Sequence, residues 1–204
     1  MASASECQIV RLPTIFIPHG GGPLPILKPD ELSKSMASIL QPGELMSAET
    51  INSIKTILFV SAHWEESQPT LTTSPDSNLL FDYHGFPPET YEYKWPAPKP
   101  SKEVTERIAE LLNSSGFETA YDSKRGFDHG VFIPGILMEP NPTIPVIQLS
   151  LLSNLNPNSH LNLGKALEPL RKEGVLIIAS GLSYHNMGGF FWENIKFIRA
   201  FYKI

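Results

Sequence analysis

Three apolar runs in this chain each lead into a histidine. Thr14-Ile15-Phe16-Ile17-Pro18 runs into His19, Thr56 through Ala62 runs into His63, and Val175 through Gly181 leads by Leu182-Ser183-Tyr184 to His185. Short runs rich in Val and Ile read as strands buried on both faces, the kind that build parallel sheets. Open parallel sheets bind ligands just beyond the carboxyl ends of their strands. Three imidazoles at three such ends can converge in one crevice. Imidazole is both the commonest protein metal ligand and an acid/base matched to neutral pH.

The other segments predict what surrounds these strands. Strands are expected over 13–18, 55–62, 117–121, Ile144 to Leu151 and Val175 to Ala179. Helices are expected over Asp30 to Leu40, from a Ser101 cap through Ser114, and over 158–172, entered at Asn158 or Ser159 and stopped by Gly174. Pro169 disturbs the last turn of that third helix. Phe190 to Ile204 also carries helical spacing, with Phe191, Ile195 and Ile198 on one face. Strands alternating with helices predict a single α/β domain, layered, with a largely parallel central sheet and flanking helices. The stretch from Glu66 to Pro100 lacks periodicity and is rich in proline, as lids and binding segments are. Its aromatic tail, Asp82 through Pro96, either walls a ligand pocket or anchors the loop to the core.

Composition narrows the function classes. At 204 residues the chain suits one domain, and its net charge of -5 argues against nucleic acid. The single cysteine, Cys7, excludes an internal disulfide and a cysteine-built metal site. It fits a reducing compartment, and the polar start lacks a secretory pattern, so a cytosolic protein is expected. No apolar stretch reaches the ~20 residues of a spanning helix.

The histidines carry the chemistry. Glycines at 20–22 let a ligand approach His19, and Glu65 or Glu66 beside His63 can orient a ligating ring. The glycine run lacks the spacing of a phosphate loop, and no serine lies in a G-x-S-x-G elbow. His185, between small residues, suits either a metal ligand or a general base. His129 follows Arg125 and Asp128 and opens the apolar run Val131 to Met138. It either donates to a substrate hydroxyl while Arg125 holds a carboxylate, or bridges to backbone beside an Asp–Arg surface pair. His84, in mid-loop, and His160, at a helix start, read as surface residues.

Six segments together resemble the class III extradiol ring-cleavage dioxygenases, in the branch of the plant and bacterial 4,5-DOPA extradiol dioxygenases. They are Phe16 through Gly20, Ser61 through Glu65, Asp82 through Pro98, Arg125 through Gly130, Pro145 through Ser150 and Leu176 through His185, in family order. The resemblance makes residues 1–204 one such class III domain, incomplete at its C-terminus. It implies one non-haem metal, Fe(II) or Zn(II), with His19 and His63 as ligands. His185 falls on a histidine described as base in the protocatechuate enzymes and as a zinc ligand in the DOPA branch. His129 falls on one that contacts substrate and assists proton transfer, and His84 where the family varies. The implied partners are a catechol-type aromatic and O2, with no nucleic acid or membrane. The implied reaction opens the ring beside the diol and incorporates both oxygen atoms.

In the family the remaining metal ligand, a Glu or His, lies in a further segment; Glu193 is the nearest late carboxylate here, and its context does not match. Two other readings follow: a truncated isoform that binds metal or a partner without turnover, and a zinc hydrolase built on the same histidines.

Overall fold

The computed structural model describes residues 10–43, 45–73, 78–183 and 185. Its centre is a six-stranded sheet built from β1 (Thr14–Ile17), β2 (Thr56–Glu66), β3 (Thr70–Thr72), β4 (Ala120–Asp122), β5 (Val146–Leu152) and β6 (Val175–Ser180), in the order β1-β6-β2-β5-β3-β4. β1, β6, β2 and β5 run parallel, β3 lies antiparallel to β5, and β4 is parallel to β3. The helices are α1 (Leu24–Leu27), α2 (Glu31–Ser38), α3 (Ala48–Asn52), α4 (Lys102–Ser114), α5 (His129–Met138) and α6 (Pro157–Leu167). The layered, largely parallel α/β class expected from the sequence is the one found.

Alternation along the strands explains why the sheet is covered on both sides. Ile57 and Phe59 of β2 and Leu176 and Ile178 of β6 join a core with α2, α5 and the 79–97 loop. Leu58 of β2, Ile147 of β5 and Ile177 of β6 face the opposite core, with Ile108 and Leu112 of α4 and Leu163 and Leu167 of α6. Neighbouring residues on a strand point to opposite faces, so the central strands carry apolar residues on both.

Local rules account for the helix ends. The Ser101 hydroxyl accepts from the Val104 amide at 3.4 Å, and the Asp30 carboxylate accepts from the Ser33 amide at 2.9 Å. α6 begins earlier than expected. Pro157 takes the first helical position, where its missing N–H costs nothing, and Asn156 caps by accepting from the Ser159 amide at 3.1 Å. It also ends earlier, at Leu167, because Pro169 cannot donate to the α-helical ladder; residues Glu168–Lys172 tighten into a 3-10 turn.

Val131 to Met138 proves to be helical. α5 is buried nearly all round, so it shows no amphipathic stripe, and it holds Pro134 in its interior. The aromatic tail of the long loop packs on it. Phe81 meets Phe132 with ring centroids 5.4 Å apart, Tyr83 meets Tyr91 at 5.3 Å, and Tyr83 donates to the Thr90 carbonyl at 2.6 Å. These rings anchor the loop to the core, while Tyr83 also stands edge-on to the His129 ring at 5.9 Å. The expected helix over Phe190 to Ile204, and Glu193 within it, lie outside the described residues.

Candidate functional site

The register across three strands brings two histidines together. Ile17 of β1 and Ser61 of β2 both pair with Ser180 of β6. His19 and His63 each stand two residues beyond that row, at the carboxyl end of the sheet. The β2–β5 register breaks here: Val60 pairs with Leu149 but Glu65 with Leu151, so extra residues of β2 bulge outward between them. A bulge bends a strand and re-aims side chains, and His63 lies in this one. Gly20 takes φ +79, and a Cβ there would stand 2.7 Å from Pro25 Cγ, so the chain turns tightly right after His19.

His19 Nε2 and His63 Nε2 are 2.9 Å apart. His129, at the start of α5, closes the group, with its ring centroid 4.0 Å from His63 and 5.1 Å from His19. The three residues offer nitrogens that all lie within 4.8 Å of one another. The donor set fits a borderline divalent cation. Two nitrogens bonded at about 2.1 Å to adjacent corners of an octahedral ion stand roughly 3.0 Å apart, close to the separation found. His185 does not join this group; it lies exposed past β6, near enough that its charge disfavours protonation of both His19 and His63.

Each ring has a partner behind it. Ser180 Oγ lies 2.8 Å from His19 Nδ1. Asp82, from the long loop, places Oδ1 2.7 Å from His129 Nδ1 and accepts from the His129 backbone N–H at 3.0 Å, while its Oδ2 lies 3.5 Å from His63 Nδ1. Asp82 thus takes the orienting place expected of Glu65 or Glu66; Glu66 instead accepts from the Trp64 indole at 2.8 Å. Burial alone would raise the Asp82 carboxyl, but the hydrogen bonds and charge of His129 hold it below its ordinary value.

Beneath His63 lies a buried polar network. Asp128, fully buried, accepts from Ser61 Oγ at 2.7 Å, from Gln148 Nε2 at 2.5 Å and from Arg125 at 3.2 Å. Arg125 also donates to the His63 carbonyl at 3.2 Å and stands 4.7 Å over the Trp64 ring. The Asp–Arg pair is therefore an interior support for the bulge, not a surface pair, and Arg125 makes its contacts to Asp128 and His63 through Nη2. His84 is exposed, as expected. His160 is half-buried and structural: its Nε2 accepts from the Leu152 amide at 3.1 Å.

Burial and the neighbouring imidazoles push His19 down to about 3 from its ordinary 6.5, and burial followed by His129 lowers His63 as well. Both rings are therefore neutral, the ligating form, at pH 7. The linkage has a definite sign. Between 6.5 and about 3 the unfolded chain binds a proton at residue 19 that the folded chain refuses. That stability is complete above 6.5 and is lost as pH falls. Thermal melts of metal-free protein are expected to show a falling midpoint between about pH 7 and pH 5. His19→Gln is expected to flatten the fall; an equal slope in that variant would assign the effect elsewhere.

Comparison with known proteins decides the family. Residues 13–190 match the family model described as the catalytic LigB subunit of aromatic ring-opening dioxygenase. The chain belongs to this family. Its relatives include the 4,5-DOPA dioxygenase extradiol of Beta vulgaris, 41% identical over 177 residues, covering 86% of this chain and 63% of that protein. A protein named dioxygenase tasH from Hapsidospora irregularis is 39% identical over 180 residues, covering 86% of this chain and 55% of its own. The crystal structure of an uncharacterized protein from Escherichia coli K12 superposes with a TM-score of 0.66 at 30% identity, covering 87% of this chain and 63% of that one. The chain thus spans less than two thirds of the length of these proteins. Among the described residues, no helix is long and apolar enough to cross a membrane.

Sequence reasoning singled out all three histidines of the group but missed Asp82 and the Ser180 contact. A lone carboxylate inside an aromatic tail carries no local signal, and Ser180 ends an ordinary strand run.

Proposed function

We propose that this chain performs metal-dependent extradiol cleavage of a catechol-type, DOPA-like ring with O2 as co-substrate. The observation that carries the reading is the meeting of His19, His63 and His129 at the carboxyl end of a parallel sheet in a chain of the LigB family. His19 and His63 hold the metal, Fe(II) or Zn(II), and His185 serves at the same centre as ligand or base. A metal held by these residues would supply Lewis-acid chemistry toward the catechol and its co-substrate.

The chain's own residues do the rest. Neutral His19 and His63 present ligating nitrogens. His129, held by Asp82, stands beside them to bond a substrate hydroxyl and pass its proton. His185 takes the remaining catechol proton if it acts as the base. Loss of both hydroxyl protons makes the ring electron-rich, which favours its oxidation by O2. Both oxygen atoms enter the product as the ring carbon–carbon bond beside the diol breaks.

The test is oxygen uptake with L-DOPA and with protocatechuate after anaerobic Fe(II) loading. Uptake with a yellow ring-opened product is the expected result. Tight metal binding without uptake would overturn the activity and leave a metal-binding protein. Oxygen-independent hydrolysis by a zinc form would favour a hydrolase.

A further inference from the structure

The interior proline of α5 leaves a gap in the helical ladder. In a regular helix the Gly130 carbonyl would accept from the N–H of residue 134, and Pro134 has none. The freed carbonyl accepts instead from the Ser180 hydroxyl, at 2.5 Å. Ser180 is 2% exposed and has one hydroxyl proton to give. A carbonyl cannot donate, so that proton lies toward Gly130. The 2.8 Å contact between Ser180 Oγ and His19 Nδ1 must then be filled by a proton on the imidazole.

We infer that Ser180, oriented by the Gly130 carbonyl that Pro134 leaves free, is a positioning residue that holds His19 in its Nδ1–H form and keeps the Nε2 lone pair aimed at the metal centre. The neutral ring carries one proton, so fixing it on Nδ1 bars it from Nε2. The close packing is consistent with this role. A Cβ added at Gly130 would stand 2.6 Å from Ser61 Oγ and 3.2 Å from His19 Nδ1, so α5 approaches the ring closely where the relay runs. His19 Nε2 stands 2.9 Å from His63 Nε2, so the lone pair left on His19 faces the neighbouring ring. The inference rests on the proposed metal centre for its purpose, but the tautomer itself follows from donor and acceptor bookkeeping.

The experiment is nitrogen-15 NMR of the histidine rings at neutral pH, with Zn(II) titration calorimetry. Wild-type His19 is expected to show Nδ1–H. Ser180→Ala is expected to populate Nε2–H and to weaken Zn(II) binding by about 10–100-fold, the range for losing a partner behind a ligand. Ser180→Thr, which keeps the hydroxyl, is expected to restore both. Wild-type His19 found as Nε2–H overturns the inference, even if the variants do not fold. An unchanged tautomer and affinity in Ser180→Ala also overturn it. Failure of oxygen uptake with the tautomer as stated would overturn the proposed activity and leave this relay standing.

Discussion

Asp128→Ala is expected to lower stability by about 3–5 kcal/mol, because it strands a paired cation in the interior. The carboxylate is fully buried and takes three donors, from Ser61, Gln148 and Arg125. Without it the Arg125 guanidinium keeps, among the described residues, the His63 carbonyl and the Trp64 face, with its side chain 18% exposed. The Gln148 amide then loses its remaining partner, since its Oε1 already has none among the described residues. In a chain of this size each kcal/mol moves the melting midpoint about 2–4 °C, so a fall of roughly 6–20 °C is expected. Replacing Arg125 and Asp128 together by leucines is expected to cost less than the sum of the single changes, since neither charge is then orphaned. A midpoint unchanged in Asp128→Ala would show that the network does not support the bulge.

His63→Ala is expected to abolish tight divalent metal binding. It removes a ligand outright, so the loss exceeds the ~10–100-fold seen when only a partner behind a ligand is lost. His129→Ala provides the contrast. If His129 handles substrate, its removal leaves metal affinity within a few-fold and stops turnover. If it is itself a third ligand, affinity falls as far as in His63→Ala, and the proposed division of roles is wrong. Calorimetry with Zn(II), and Fe(II) under anaerobic conditions, reads both outcomes. The geometry makes the comparison sharp, because the two rings are only 4.0 Å apart and any general disturbance of the crevice affects them alike.

Acid sensitivity and the Ser180 tautomer test the same centre by independent routes. Both depend on His19 staying neutral. Burial disfavours its proton at Nε2 and Nδ1 together, while Ser180 chooses between the two nitrogens.

Much of this architecture was legible in the residues. Val175 to Ala179, Thr56 to Ala62 and Ile144 to Leu151 are rich in Val, Ile and Leu that alternate to both faces, which suits strands covered on two sides. Ser101 announced a helix start through a short side chain that reaches a free amide, and the spacing of Leu32, Met36 and Ile39 announced α2. His19 and His63 stood at strand ends, where parallel sheets place chemistry. α5 was not legible as a helix, because burial on every side erases the 3.6-residue period and Pro134 argues locally against it.

What tertiary structure alone decided is which distant atoms meet. Asp82 reaches His129 across 47 positions of sequence, and Ser180 reaches His19 across 161. Those encounters depend on the strand order, the bulge in β2 and a loop pinned by aromatic rings. Dihedral preference and periodicity act over a few residues and write strands, caps and turns into the chain itself. A hydrogen bond between remote side chains depends on how whole layers pack, so no local pattern announces it.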